Sequence, residues 1–306
     1  MSARLVVFAC LALSTVGCDA QQHSSTPADV GPASETPAVV DADAPPAFLS
    51  TLQGLDPAGE DSFAEATSAF VAAHGEAADA DALRADLDAL LAFVDETAAQ
   101  LDPVVQGDPA LLATACAEVG VDCGPQSESA AAVLRGYRDR GVRFDYAGEG
   151  TVHAVVDHGT VADALQSSLP DGATAWLRAT DATQRAESRY DEGGFSGDPT
   201  LMTAALLQWE ALAASGDATW SAFAQPEVAR LRTAFLRLCD HGEWETPPCN
   251  ARQPLRDAYA KFLTDHADSP SAPAVAVLRA GLKSKGWKAT AKQLDALVAE
   301  ALAKVK

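Results

Sequence analysis

Residues 83–101 read LRADLDALLAFVDETAAQL, and this stretch decides the fold class. Its apolar side chains recur at positions i, i+4, i+7, i+8 and i+11, which places them along one face of an α-helix. They are Leu83, Leu87, Leu90, Leu91, Val94, Ala98 and Leu101. Asp79 or Asp81 stands just before the stripe and can cap the helix. The pattern therefore predicts a long helix with one buried face.

Similar apolar stripes appear after Pro226, which we place in the first turn of a helix, and at the end of the chain, residues 294–305. Two segments, 107–111 and 197–201, share the pattern Gly-Asp-Pro-x-Leu. Asp is a good N-cap and Pro fits the first helical turn, so each segment predicts a helix start. The predicted fold class is mainly α, with packed helical hairpins.

One segment departs from helical periodicity. Val142, Phe144 and Tyr146 alternate with polar residues, residues 148–150 read GEG, and residues 151–156 form a second β-rich run. This pattern is typical of two short strands joined by a turn. We expect one small β-hairpin near 142–156, lying against helices because a lone hairpin is marginally stable.

A helix-turn-helix pattern occupies residues 255–278, LRDAYAKFLTDHADSPSAPAVAVL. An aromatic residue lies near the end of the first helix, followed by a short acidic Ser-Pro turn and an Ala-rich second helix. The segment resembles one unit of the tetratricopeptide-like repeats of bacterial envelope proteins. This resemblance implies protein-protein scaffolding on a concave helical surface. The spacing of similar segments leaves both a tetratricopeptide-like array and an irregular α-array open.

The first residues have the order of a secretory signal. Residues 1–4 read MSAR, and the apolar run 5–13 is too short to cross a bilayer as a helix. Residues 15–18, TVGC, resemble the lipobox of bacterial lipoproteins. The resemblance implies a signal peptide over 1–17 and a mature chain that starts at Cys18, whose sulfur carries palmitate or another acyl chain. Ordinary cleavage after Ala20 is the alternative.

Three regions follow from this organisation. The signal peptide covers 1–17, and a lipidated Cys18 with a disordered tether rich in Pro, Ser and Ala covers 18–47. The helical domain covers 48–306, with a possible subdivision near 190–198.

Four further cysteines fall into two close pairs, Cys116 with Cys123 and Cys239 with Cys249. In an exported protein an even number of cysteines at short spacing predicts two disulfides. A zinc site is the alternative, although the pairs lack CxxC spacing.

The charge pattern is uneven. The net charge is -21, which argues against nucleic acid as a partner, since phosphate binding depends on clustered Lys and Arg. Every lysine, however, lies between Lys261 and Lys306. The final stretch, 279–306, holds seven basic residues against Asp295 and Glu300. It is either a solvated helix face paired with the acidic body or a patch for an anionic envelope polymer or lipid headgroup.

Candidate chemistry is limited to a few side chains. His153, Asp157 and His158 form the best metal or acid-base group, but on a strand His153 and Asp157 share a face while His158 points away. His241 lies in the loop between Cys239 and Cys249 and is a further metal candidate.

The sequence favours a non-enzymatic lipoprotein of the cell envelope. We expect it to be membrane-anchored through lipid, to face the periplasm from the inner or outer membrane, and to bind an envelope protein without a cofactor. The alternative function is a metal-binding protein or metal-dependent hydrolase of the envelope.

Overall fold

The structure is a computed structural model, and it describes residues 47–74, 80–148, 151–187, 190–191, 194–195, 198–238 and 249–305. The described residues all belong to one compact unit. The predictions for the signal peptide, the lipobox with Cys18, the tether up to residue 46, Cys239 and His241 lie outside the described residues.

Twelve helices lie within the described residues. They are α1 (Ala47–Gly54), α2 (Ser62–Ala73), α3 (Ala80–Gly107), α4 (Pro109–Glu118), α5 (Glu128–Arg138), α6 (His158–Leu165), α7 (Asp171–Glu187), α8 (Pro199–Ala213), α9 (Ala218–Leu236), α10 (Gln253–Asp265), α11 (Ala272–Ser284) and α12 (Ala291–Leu302). The strands form three two-stranded antiparallel pairs: β1 (Val142–Gly148) with β2 (Thr151–Val156), β3 (Tyr190–Asp191) with β4 (Gly194–Phe195), and β5 (Cys249–Asn250) with β6 (Lys288–Ala289).

The mainly α fold class is confirmed. Consecutive helices pack against each other in pairs, most extensively α7 with α8, α8 with α9 and α11 with α12. Short connections between them keep sequence neighbours adjacent in space, as in helical hairpins. None of the described helices is both long enough and apolar enough to cross a membrane.

The stripe over residues 83–101 forms the buried face of α3. Leu83, Leu87, Leu90 and Val94 are fully buried, and Leu101 is nearly so. Helix α3 contacts α1, α2, α4 and both strands of the first hairpin. This helix is therefore the surface on which the amino-terminal half of the body is assembled.

The first helix of the body is fixed by an aromatic contact. The Phe48 ring is fully buried and meets the Phe70 ring edge to face, with the ring centroids 5.3 Å apart. Phe70 also lies against His74, whose Nε2 is 2.7 Å from Oδ2 of Asp86 on α3. Phe48 therefore joins α1 to α2 and α3 at the start of the described chain.

The predicted β-hairpin is confirmed. Val142 pairs with Val156 and Asp145 with His153, with an irregularity after Tyr146. The hairpin lies against α3, as expected for a pair of strands that is marginal alone.

The helix caps are partly as predicted. The Asp108 carboxylate accepts hydrogen bonds from the backbone N–H of Ala110 and Leu111, and Asp198 accepts one from Thr200.

The placement of Pro226 in a first turn is wrong, because Pro226 lies inside α9. That helix starts two turns earlier, where Asp217 caps it and the Trp220 side chain becomes buried. Capping and burial of a large ring offset the one backbone hydrogen bond that proline removes.

The segment 255–278 forms the predicted helix-turn-helix, as α10 and α11. Tyr259 and Phe262 of α10 are buried against Phe235 of α9, with ring centroids 5.3 and 5.4 Å away. The aromatic residues of this unit therefore pack into the core, next to a neighbouring helix.

Candidate functional site

A group of charged side chains lies where β1 meets α6 and α7. It consists of Arg143, Asp145, Asp157, Asp181 and Arg185, and we call it the charge cluster. Arg143 and Asp145 are two residues apart on β1, so they project from the same side of the strand. Asp181 and Arg185 are one helical turn apart on α7. Asp157 is the N-cap residue of α6.

Ion pairs connect the members of the charge cluster. Nη1 of Arg143 donates a hydrogen bond to Asp145 Oδ1, and both side chains are only 7 % exposed. Arg143 Nε is 3.8 Å from Asp181 Oδ1, and Arg185 Nε donates to Asp181 Oδ2 at 2.8 Å. Arg185 Nη2 is 3.5 Å from Asp157 Oδ1. Two guanidinium groups and three carboxylates therefore hold the hairpin against α6 and α7.

Burial leaves part of the charge cluster without hydrogen-bond partners in the protein. These atoms are Nε and Nη2 of Arg143 and Oδ1 of Asp181. Burial also raises the pKa of Asp145 above its ordinary value of 3.8, against the opposing effect of Arg143. The carboxylate is thus harder to ionise here than in water.

His158 borders the charge cluster and is held neutral. Burial lowers the pKa of His158 below its ordinary value of 6.5, although a hydrogen bond to Gln184 and the Asp181 charge oppose the shift. His158 Nδ1 is 3.1 Å from Oε1 of Gln184 on α7. The imidazole therefore acts as a neutral contact between α6 and α7.

The three metal candidates of the hairpin region, His153, Asp157 and His158, do not converge on one site. His153 is exposed on β2 opposite Asp145, whereas Asp157 accepts a hydrogen bond from the backbone N–H of Thr160 and pairs with Arg185. Within the described part of the chain, no three His, Cys, Asp or Glu side chains form a group that could hold a metal ion. His241 lies outside the described residues.

Sequence reasoning missed most of the charge cluster. The alternation of β1 predicts that Arg143 and Asp145 lie on a polar, solvent-facing side of the strand, but both are buried, and Arg143 lies near Asp181 of α7. The spacing of Asp181 and Arg185 was the one available signal, since charges four residues apart can pair on a helix. It does not reveal a third partner from a strand.

A second buried carboxylate, Glu210 of α8, binds the turn between α10 and α11. Ser269 Oγ donates to Glu210 Oε2 at 2.6 Å, and Ser271 Oγ donates to Oε1. Arg232 of α9 donates from Nε to Ser271 Oγ at 2.6 Å. The Ser-Pro turn of the tetratricopeptide-like segment is therefore bonded to both α8 and α9.

The described cysteines are oxidised. Cys116 in α4 and Cys123 in the following loop form a disulfide. Cys249 is also disulfide-bonded, and Cys239, its predicted partner, lies outside the described residues. The second pairing stays a prediction.

A groove of about 470 Å³ lies between α7, the end of α8 and the start of α9. Small apolar side chains line it, among them Ala175, Ala211 and Leu212, together with Arg178 and Gln208. Its surface could accept a side chain or a short segment of another protein.

No known protein family, curated protein or solved structure matches this chain. What the site can do follows from its geometry alone. The charge cluster joins three elements through buried ion pairs. The groove presents apolar surface, and it shares helix α7 with the charge cluster.

Proposed function

We propose that this protein is an exported lipoprotein, anchored by acyl chains on Cys18, whose helical body is a non-enzymatic protein-interaction module of the cell envelope. The observation that carries the proposal is the difference between the charge cluster and the groove. Asp157 and Asp181 Oδ2 pair with Arg185, and His158 Nδ1 lies within hydrogen-bond distance of Gln184, whereas the groove beside α7 offers apolar surface.

Export is supported by the disulfide between Cys116 and Cys123, because such bonds persist mainly in oxidising compartments. Anchoring is supported by chain length. The compact unit starts at Pro45, 27 residues after Cys18, which is long enough to hold a folded body away from a bilayer surface.

Lipidation is tested by labelling cells with a fatty-acid probe. We expect label on the wild-type protein and none on Cys18→Ser, with mass spectrometry of the amino-terminal peptide showing an acylated Cys18. A mature amino terminus at Gln21 would instead show ordinary cleavage after Ala20 and contradict the anchor.

The interaction module is tested by site-directed crosslinking in intact envelopes. Ala211→Arg places a charge in the groove at an exposed position of α8. Its matched control, Ala276→Arg, adds the same charge to an exposed position of α11. We expect a crosslinked partner that is lost with Ala211→Arg and kept with Ala276→Arg. Equal recovery from both variants would remove the groove from the proposal.

A further inference from the structure

The positive charge of this chain is concentrated at one end. Residues 279–306 contain seven basic and two acidic residues, whereas the preceding 278 residues contain 15 basic and 41 acidic ones. All seven lysines lie within 261–306. The last helical pair, α11 and α12, therefore differs in sign from the rest of the body.

Four of these lysines surround the connection between α11 and α12. Lys283 is in the last turn of α11, Lys285 is its C-cap, Lys288 is in β6 and Lys292 is in the first turn of α12. We call this group the lysine end. All four side chains are exposed, and none forms an ion pair with the described residues. Lys261 differs, because its amino group pairs with Asp265.

The backbone of the lysine end is fixed in an unusual conformation. Gly286 and Trp287 both have φ of +66°, a region that side chains such as tryptophan rarely enter. The Trp287 N–H donates to the Leu282 carbonyl at 2.7 Å, and the Trp287 carbonyl accepts from Ala251 at 3.0 Å. Such strained residues persist where surrounding contacts hold them, and they are frequent at binding sites.

An aromatic ring lies within this basic surface. Trp287 is half-buried, and the guanidinium of Arg256 lies 5.2 Å from its ring centre. Tryptophan flanked by Lys and Arg is typical of protein surfaces at the level of lipid headgroups. The ring and the four amino groups thus combine the two features that favour a membrane interface.

We propose that the lysine end binds anionic lipid headgroups, so that the connection between α11 and α12 faces the bilayer. Exposed, unpaired lysines attract an anionic surface, and this attraction acts over a Debye length of about 10 Å. The proposal rests on the proposed function for bringing the body close to a membrane, but the binding itself does not require the lipid on Cys18.

The test measures binding of the full chain with Cys18→Ser, which cannot be acylated. Co-sedimentation compares vesicles of pure phosphatidylcholine with vesicles containing one third phosphatidylglycerol, at about 0.1 M ionic strength, where the Debye length is about 10 Å. We expect a preference for the anionic vesicles that is lost at high salt. Residues 1–17 are the same in every variant compared below, so a difference between those variants does not come from the apolar residues 5–13 or from Arg4.

Two charge-matched variants locate the binding surface. Lys285→Gln with Lys288→Gln should reduce binding to anionic vesicles about 25-fold, since each lysine near an anionic surface contributes roughly fivefold. Lys261→Gln with Lys304→Gln removes the same charge elsewhere, Lys304 being 12 residues, or about 18 Å of helix, beyond Lys292. This control should change binding less than about twofold. Circular dichroism checks that both variants keep their helices.

Three outcomes overturn the proposal. The first is equal binding to the two vesicle types. The second is an equal loss in both double variants, which would assign the attraction to overall charge. The third is binding of a soluble polyanion such as dextran sulfate to the lysine end without binding to anionic vesicles. Each of these three outcomes would leave the proposed lipidation of Cys18 unaffected, because the fatty-acid probe tests lipidation separately.

Discussion

The charge cluster and the lysine end contain similar numbers of charged groups in opposite surroundings. In the charge cluster, Arg143 and Asp145 are buried and paired. In the lysine end, Lys285 and Lys288 are exposed and form no ion pair with any described residue. A buried charge must be matched by a partner, so it determines which elements pack together. An exposed charge has little influence on folding and stays available to another molecule.

The largest test of this comparison removes one member of the buried pair. Arg143→Leu leaves the Asp145 carboxylate buried without its cation, and we expect the free energy of unfolding to fall by about 3 to 5 kcal/mol. Urea denaturation followed by circular dichroism measures the change. The matched control is Arg178→Leu, because Arg178 pairs with Asp163 at the surface and should contribute less than about 1 kcal/mol. Equal losses would show that burial does not distinguish the two arginines.

A smaller loss is expected at the second buried carboxylate. Glu210→Ala leaves the Ser269 and Ser271 hydroxyls without their acceptor and the Arg232 guanidinium without its ion-pair partner. We expect a loss of about 2 to 3 kcal/mol in the same urea experiment. Glu227→Ala, which removes a partly exposed partner of Arg230, provides the comparison and should be nearly neutral. A neutral Glu210→Ala would mean that the turn between α10 and α11 does not depend on α8.

Acid should lower the stability of the folded protein through His158, which borders the charge cluster. Because burial lowers the pKa of His158 in the folded protein, the unfolded chain binds a proton more readily as the pH falls below 6.5. His158 thus supports stability above that pH and loses its contribution as the pH falls toward its folded pKa. The loss is at most about 1.4 kcal/mol per pH unit for one group.

Urea denaturation at a series of pH values measures this dependence. His158→Gln should flatten it between neutral and mildly acidic pH, whereas His153→Gln, which removes an exposed imidazole of the same hairpin region, should keep it. An unchanged slope in His158→Gln would assign the acid sensitivity to other groups.

The smallest effect on stability is expected at the lysine end. Lys285→Gln with Lys288→Gln should change the free energy of unfolding by no more than about 0.5 kcal/mol per site, since these side chains are exposed and have no ion-pair partner in the described part of the chain. The same double variant is expected to lose most of its binding to anionic vesicles. A large loss of stability would show that the lysines have a structural partner and would weaken the contrast with the charge cluster.

Local patterns were sufficient to predict the elements themselves. The stripe of α3, the alternation of β1 and the Gly-Asp-Pro caps each depend on residues within about two helical turns. The interior position of Pro226 was not predictable in this way, because it depends on how strongly Trp220 is buried by other helices.

The charge cluster was not predictable for a similar reason. Arg143 follows a pattern that ordinarily marks a solvent-facing side chain, yet it is buried and its Nε lies 3.8 Å from Oδ1 of Asp181, which is distant in the sequence. The bond from Glu210 to Ser271 joins residues 61 positions apart, so no local pattern contains it. The metal candidates His153 and Asp157 are close in sequence, but His153 lies on strand β2 whereas Asp157 caps helix α6, so their side chains have different surroundings.

The contact between Phe48 and Phe70 has a mechanical consequence. The chain that precedes Ala47 is covalently continuous with α1, so any tension along it enters the folded body at Phe48. That ring is fully buried against Phe70, beside His74 and its bond to α3. A pulling force therefore acts first on the aromatic contact of Phe48. The Phe48 ring must leave the core before the force reaches α2 and α3.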